Sequence, residues 1–252
     1  MLEITFIPAL ADNYIWLLHD GNDAVIVDPG DASAVIWRLK AESYNLKAIL
    51  VTHHHVDHQA GLPTLLENYP VPVYAPASES ITGRSRPLSG GESIELLGMA
   101  CEVIAIPGHT LGHLAYLISG ALFCGDTLFT GGCGRLFEGT PAQMVDSLAK
   151  LASLPDETLI YCGHEYTEVN LRFSMAVEPG NVLTAKRSAE ASFMRLRGRP
   201  TVPSTLLQEK QTNPFLRCSE PAVVAAARQR NPAANDPVSV FATLREWKNE
   251  FC

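Results

Sequence analysis

The chain has 252 residues, 46% apolar and 18% charged, enough for a full core as one large domain or one with a smaller annex. Its net charge of -8 argues against nonspecific nucleic-acid binding. No apolar run approaches the roughly 18 residues that span a bilayer, and MLEITFIPALADNYIW has no basic segment before an apolar core, so neither a membrane span nor a signal peptide is expected.

Up to about residue 165 the chain reads as short strands divided by turn residues. Residues 14–18 and 24–27 are predicted neighbouring strands joined through 20–23, and Asp28-Pro-Gly30 ends the second. Val35, Ile36 and Leu39 give 34–41 helical spacing. A strand at 48–51, a helix at 62–68 and a strand at 71–74 follow. Further strands are expected at 101–106, 114–118, 121–124 and 158–162. Thr140-Pro-Ala-Gln143 has the residues of a capped helix start, and Val145, Leu148 and Leu151 continue it as an apolar stripe. Alternating helices and strands indicate an α/β fold.

After Tyr166 the texture changes. Residues 169–176, 189–197 and 222–230 read as helices, 200–214 as extended loop, and Asp236-Pro237 opens a last helix through Phe241, Leu244 and Trp247. The expected division is a domain at 1–165 and a smaller helical one at 166–252. The six cysteines, at 101, 124, 133, 162, 218 and 252, form no CxxC pair. They read mostly as buried thiols in a reducing, cytoplasmic setting.

The densest chemistry lies at Thr52-His53-His54-His55-Val56-Asp57-His58, which holds four of the eight histidines. It begins where an apolar strand ends, so His53 and His55 share one face. Such a density of imidazole and carboxylate points to metal. Three later segments repeat the pattern of apolar strand, glycine and ligand-type residue, at His109, Asp126 and His164. The inventory is His53, His55 and His109 for one ion, and Asp57, His58 and His164 for another. Asp126 can bridge them. His54 points away from its neighbours, His113 reads as structural, and Asp28 is placed behind a ligand imidazole.

These segments resemble the metallo-β-lactamase superfamily, whose THxHxDH, PGHT, GDT and GHE motifs occur here in order. Asp12–Trp16, Gly131–Gly139, Cys162–Thr167, Thr201–Thr205 and Asn213–Arg217 narrow the resemblance to the hydroxyacylglutathione hydrolase (glyoxalase II) family. The resemblance implies an αββα metallo-β-lactamase-like sandwich followed by a smaller α-helical domain. It implies hydrolysis of S-D-lactoylglutathione with two divalent ions, zinc first and iron or manganese as alternatives. Asp57 and Asp126 are the implied catalytic carboxylates. Arg135, Tyr166, Arg245 and Lys248 match the family's glutathione contacts, while Phe137 stands where the family has a tyrosine. Arg245 and Lys248 are three apart, so a helix presents them on one face toward an anion. A small-molecule thioester is the expected partner, and a monomer the expected state. Other hydrolases of the superfamily, or a di-iron redox protein on the same scaffold, are the competing readings.

Overall fold

A computed structural model describes residues 2–251, so Cys252 lies outside the described residues. The chain forms two units, one from 1–105 and 110–125, the other from 106–109 and 126–252.

In the first unit, β1 (Glu3–Ala9), β2 (Asn13–Asp20), β3 (Asp23–Val27), β4 (Asn45–Leu50), β5 (Val73–Pro76) and β6 (Arg86–Leu88) form one sheet in sequence order. Pairing is antiparallel from β1 to β3 and parallel from β3 to β6. The chain reverses from β2 into β3 through a tight turn at Gly21, whose φ of +57° favours glycine. A parallel pair needs a crossover, and α1 (Ala32–Ala41) supplies it between β3 and β4. Asp31 caps α1 by accepting from the Ser33 and Ala34 amides, so the helix starts two residues before the expected 34. The single-turn α2 (Val56–Gln59) and α3 (Leu62–Asn68) follow β4.

Alternation along β2 then builds two layers. Ile15 and Leu17 join Val35 and Leu39 of α1 and Leu62 and Leu65 of α3 in one buried cluster. Trp16 points the other way and meets Phe123, ring centroids 6.5 Å apart. Phe123 belongs to an antiparallel meander of β7 (Ser93–Leu96), β8 (Met99–Ala105), β9 (Leu114–Ile118) and β10 (Ala121–Gly125). Across the same interface the fully buried Tyr116 of β9 donates its hydroxyl proton to the carbonyl of Val51 at 2.8 Å. The first unit is therefore two sheets face to face, with helices on the outer side of one.

The second unit holds the hairpin β11 (Leu128–Phe129) and β12 (Gly132–Cys133), then α4 (Pro141–Ala152), β13 (Leu159–Cys162), α5 (Thr167–Val177) and α6 (Val182–Leu196). After these come β14 (Ser204–Thr205), α7 (Leu206–Thr212), α8 (Pro221–Arg230) and α9 (Pro237–Glu250). Thr140 and Gln143 form the expected reciprocal cap on α4. The buried face of α4 is carried by Met144, Ser147, Leu148 and Leu151, with Val145 at its margin.

Three expectations need correction. Residues 200–214 are not all extended loop, because Thr205 and Gln208 form a second capping box and start α7. Helix α6 begins at Val182, capped by Asn181, well before residue 189. Strand β1 lies ahead of the first expected strand and tolerates Pro8 because it is the sheet's edge. The five described cysteines are all buried. Among the described residues, no helix is long and apolar enough to cross a membrane.

Replacing Tyr116 with Phe leaves the Val51 carbonyl buried without that donor. Urea unfolding of the variant is expected to report a loss of about 1–3 kcal/mol. Unchanged stability would mean that the hydroxyl does not tie the sheets.

Candidate metal centre and substrate pocket

The site starts where β3 and β4 end side by side. Asp28, at a φ of +54°, donates its amide proton to the Leu50 carbonyl. Its buried carboxylate accepts from the Thr52 amide and the Thr52 hydroxyl, both at 2.7 Å, and from His58 Nδ1 at 3.0 Å. A hydroxyl has one proton, and that of Thr52 goes to Asp28. The contact at 3.0 Å between Thr52 Oγ1 and His53 Nδ1 must then be donated by the imidazole. His109 Nδ1 likewise donates to the Arg135 carbonyl at 2.8 Å. In all three rings a partner holds the Nδ1 proton, which leaves the Nε2 lone pair for a cation.

The spacing of donor atoms tests whether these residues suit metal. Two ligands about 2.0–2.1 Å from a tetrahedral ion stand roughly 3.3 Å apart. His53 Nε2 and His55 Nδ1 are 3.1 Å apart, and His58 Nε2 and Asp57 Oδ2 are 3.4 Å apart. Asp126 Oδ2 lies 3.5 Å from His109 Nε2 and 3.3 Å from His164 Nε2. These spacings fit ligands around an ion, and nitrogen and carboxylate donors suit a divalent metal. Among the described residues, the candidate ligand sets draw on His53, His55, Asp57 and His58 of the first unit and on His109, Asp126 and His164 of the second. His54 falls in a separate set with Glu79 of the same unit. His113 is in no set; it stacks on His53 with ring centroids 4.5 Å apart.

Glycine at 134 is a steric requirement of this arrangement. A Cβ there would sit 1.8 Å from the Asp126 carbonyl oxygen and 3.0 Å from His109 Nδ1. The loop can therefore bring Arg135 past the ligands only without a side chain at that position.

Arg135 and the other expected substrate contacts line one cavity of about 530 Å³, which Phe137, Tyr166, Arg245 and Lys248 share. His109 and Asp126 also face into it. Tyr166 stacks on His164 at 4.8 Å with ring planes 3° apart. Phe137 is exposed and meets His109 edge-on at 5.3 Å. Arg245 is only 6% exposed; its Nη1 donates to the Cys133 carbonyl at 2.7 Å, while its Nε has no hydrogen-bond partner among the described residues. Burial, and then the charge of Arg245, push the Lys248 ammonium down to about 8. A buried arginine and a half-buried lysine facing one cavity suit an anion. Burial pushes the neighbouring Cys133 thiol up to about 11, so it is no nucleophile at neutral pH.

A network absent from the sequence reading supports this loop. Glu209 of α7 is fully buried. One of its oxygens accepts from Arg187 and Ser204, the other from the Gly131 amide at 2.8 Å and the Asn213 side chain at 3.0 Å. Asn213 also donates to the carbonyls of Phe129 and Gly132, on both strands of the β11–β12 hairpin. Ser174 of α5 holds the Gly131 carbonyl at 3.0 Å. The helical segments thereby fix the hairpin that leads into Arg135.

A profile of the metallo-β-lactamase superfamily matches residues 10–164, and one described as hydroxyacylglutathione hydrolase C-terminus matches 165–251. A hydroxyacylglutathione hydrolase from Dechloromonas aromatica (strain RCB) is 55% identical, and the match covers 100% of both chains. The crystal structure of ETHE1 from Myxococcus xanthus superposes with a TM-score of 0.67 at 23% identity, covering 100% of both chains, a likeness of fold. A structure of TTHA1623 in a di-iron-bound form superposes with a TM-score of 0.60 at 27% identity, covering 84% of this chain and 98% of that one.

Truncating Glu209 to Ala leaves Arg187 buried without its carboxylate. Chemical denaturation is expected to show a loss of about 3–5 kcal/mol; a variant as stable as the parent would contradict the network's role.

Proposed function

Since the chain belongs to the hydroxyacylglutathione hydrolase family of the metallo-β-lactamase superfamily, we propose that it hydrolyses S-D-lactoylglutathione to D-lactate and glutathione, the second step of methylglyoxal detoxification. The observation that carries this reading is the shared cavity. Arg135, Arg245 and Lys248 line it together with His109 and Asp126. Glutathione brings two carboxylates, and a substrate held by them has its thioester within reach of ligand-type residues.

In this reading His53, His55 and His109 would hold one divalent ion and Asp57, His58 and His164 a second, with Asp126 available to both. Zinc is the first choice, with iron or manganese compatible with the same donors. When bound, such ions supply Lewis acidity and a water of lowered pKa. Asp28 and the Arg135 carbonyl keep the proton on Nδ1 of His58 and His109, so the lone pairs stay aimed. Asp57 and Asp126 can accept a hydrogen bond from the attacking water and orient it. Arg135 and Arg245 offer forked donors to carboxylates, and Lys248 adds a point charge. Tyr166, stacked on His164, presents a hydroxyl toward the peptide. Phe137 supplies an apolar edge in place of a hydroxyl contact. The thiolate leaves without a general acid, because a thiol's pKa is about 8.5. The catalytic portion is 1–165, and 166–252 carries Tyr166, Arg245 and Lys248 for substrate; the profile boundary at 164 and 165 supports that division. A monomer in the cytoplasm completes the proposal.

The test is the fall in ultraviolet absorbance of the thioester. Turnover is expected with the metal-replete protein and is abolished by a chelator. Asp126→Ala should lose bound metal and slow turnover by orders of magnitude. Unchanged metal content and rate in that variant would refute the bridging role, and an uncleaved conjugate would refute the activity.

The pH dependence follows from Lys248. Its amine is protonated below about pH 8 and loses its charge above. Arg245, Arg172 and Arg135, which also act on it, stay charged, and Cys133 titrates only at about 11. Carboxylate binding is therefore strongest below pH 8. KM is expected to rise roughly tenfold as the pH passes through that value. Lys248→Met should show a high, pH-independent KM over the same range; a KM of the parent that stays flat would contradict this role.

A further inference from the structure

Asn13 opens β2 from within the Asp12–Trp16 segment. It has the parity of Ile15 and Leu17, so it lies on the face of β2 that α1 and α3 cover. It is 8% exposed. A buried amide in an apolar strand must find partners. Asn13 Nδ2 donates to Asp57 Oδ2 at 2.9 Å and also lies 3.4 Å from the Asp57 carbonyl oxygen. These contacts span 44 residues of sequence. The amide nitrogen, not the oxygen, has to face a carboxylate, so the contact fixes both groups.

Asp57 is gripped from a second side. A Cβ on Gly30 would stand 1.9 Å from the Asp57 carbonyl oxygen, so the Asp-Pro-Gly turn packs directly against that peptide. The two contacts differ in kind. Gly30 sets where the backbone of Asp57 runs. Asn13 sets how its carboxylate is turned, with Oδ2 held 3.4 Å from His58 Nε2. Asp57 sits on the one-turn α2, too short to fix a side chain by its own packing.

From this geometry we infer that Asn13 is a positioning residue for the second metal ion. It orients the Asp57 carboxylate as a ligand and is neutral, so it leaves the charge for the cation. The inference rests on the dinuclear reading above. Residues behind a ligand commonly change metal affinity by about 10–100-fold. Loss of Asn13 should therefore weaken one ion of the two, and leave the ion assigned to His53, His55 and His109 unaffected.

The experiment uses full-length protein stripped with a chelator and titrated with zinc. Bound metal is counted by mass spectrometry, and turnover is followed in parallel. Asn13→Leu keeps the volume and removes the donor; Asn13→Ala removes both. Parent protein is expected to take up two ions. Both variants should bind the first as the parent does and the second about 10–100-fold more weakly. At saturating zinc their kcat should recover, with the KM for the thioester unchanged throughout. Two ions bound at parental affinity would overturn the inference. Equal weakening of both ions, or a kcat that added zinc does not restore, would also overturn it by making Asn13 a general structural residue. Parent protein that takes up fewer than two ions would overturn the dinuclear reading itself, which is read separately from the variants.

Discussion

The structure depends on fixing which nitrogen carries the proton in three buried imidazoles. His53, His58 and His109 are all buried, and each has its Nδ1 engaged by an oxygen behind it. Those oxygens come from three places: a threonine hydroxyl, a carboxylate and a main-chain carbonyl. A ring that could reverse would place an N–H where a cation should bind. Asp28 is central because its carboxylate both holds His58 and fixes the hydroxyl that fixes His53. Its own backbone is tied to the end of β4. The proton pattern is thus written into the ends of two paired strands.

From that constraint the rest of the fold acquires a purpose. Sheets and helices hold the strand ends rigid, and loops that leave them carry the ligands. Close packing is needed where loops pass, which is why Gly134 lies against both Asp126 and His109. The helical segments bring Arg245 and Lys248 to the cavity that Arg135 also lines. Arg245 and Lys248 are kept partly desolvated, which raises the strength of any charge pairing they make. The Glu209–Arg187–Asn213 group joins the two tasks. It holds the hairpin from which the chain proceeds to Arg135.

Much of this was legible in the chain. The period of two at a strand end put His53 and His55 on one side. The recurrence of strand, glycine and ligand-type residue singled out His109, Asp126 and His164, whose donor atoms lie 3.3–3.5 Å apart about Asp126. The chemistry of Thr140 and Gln143 gave α4 its start. What escaped did so for physical reasons. Pro200, Pro203 and Pro214 made their stretch read as loop, and they hid the short α7 between them. Glu209 lies among Gln208, Lys210 and Gln211, a composition that suits a solvated helix face; only tertiary packing buries it. Asn13 left a faint trace, as a polar residue that begins a run of buried apolar ones. Its partner, 44 residues away, could not be read from spacing.

Anomalous diffraction from crystals of the metal-replete protein tests the central account most directly. Two peaks are expected roughly 3.5–4 Å apart. His53, His55 and His109 should surround one, Asp57, His58 and His164 the other, with Asp126 touching both. A single peak, or a second ion held by His54 and Glu79 instead, would contradict it.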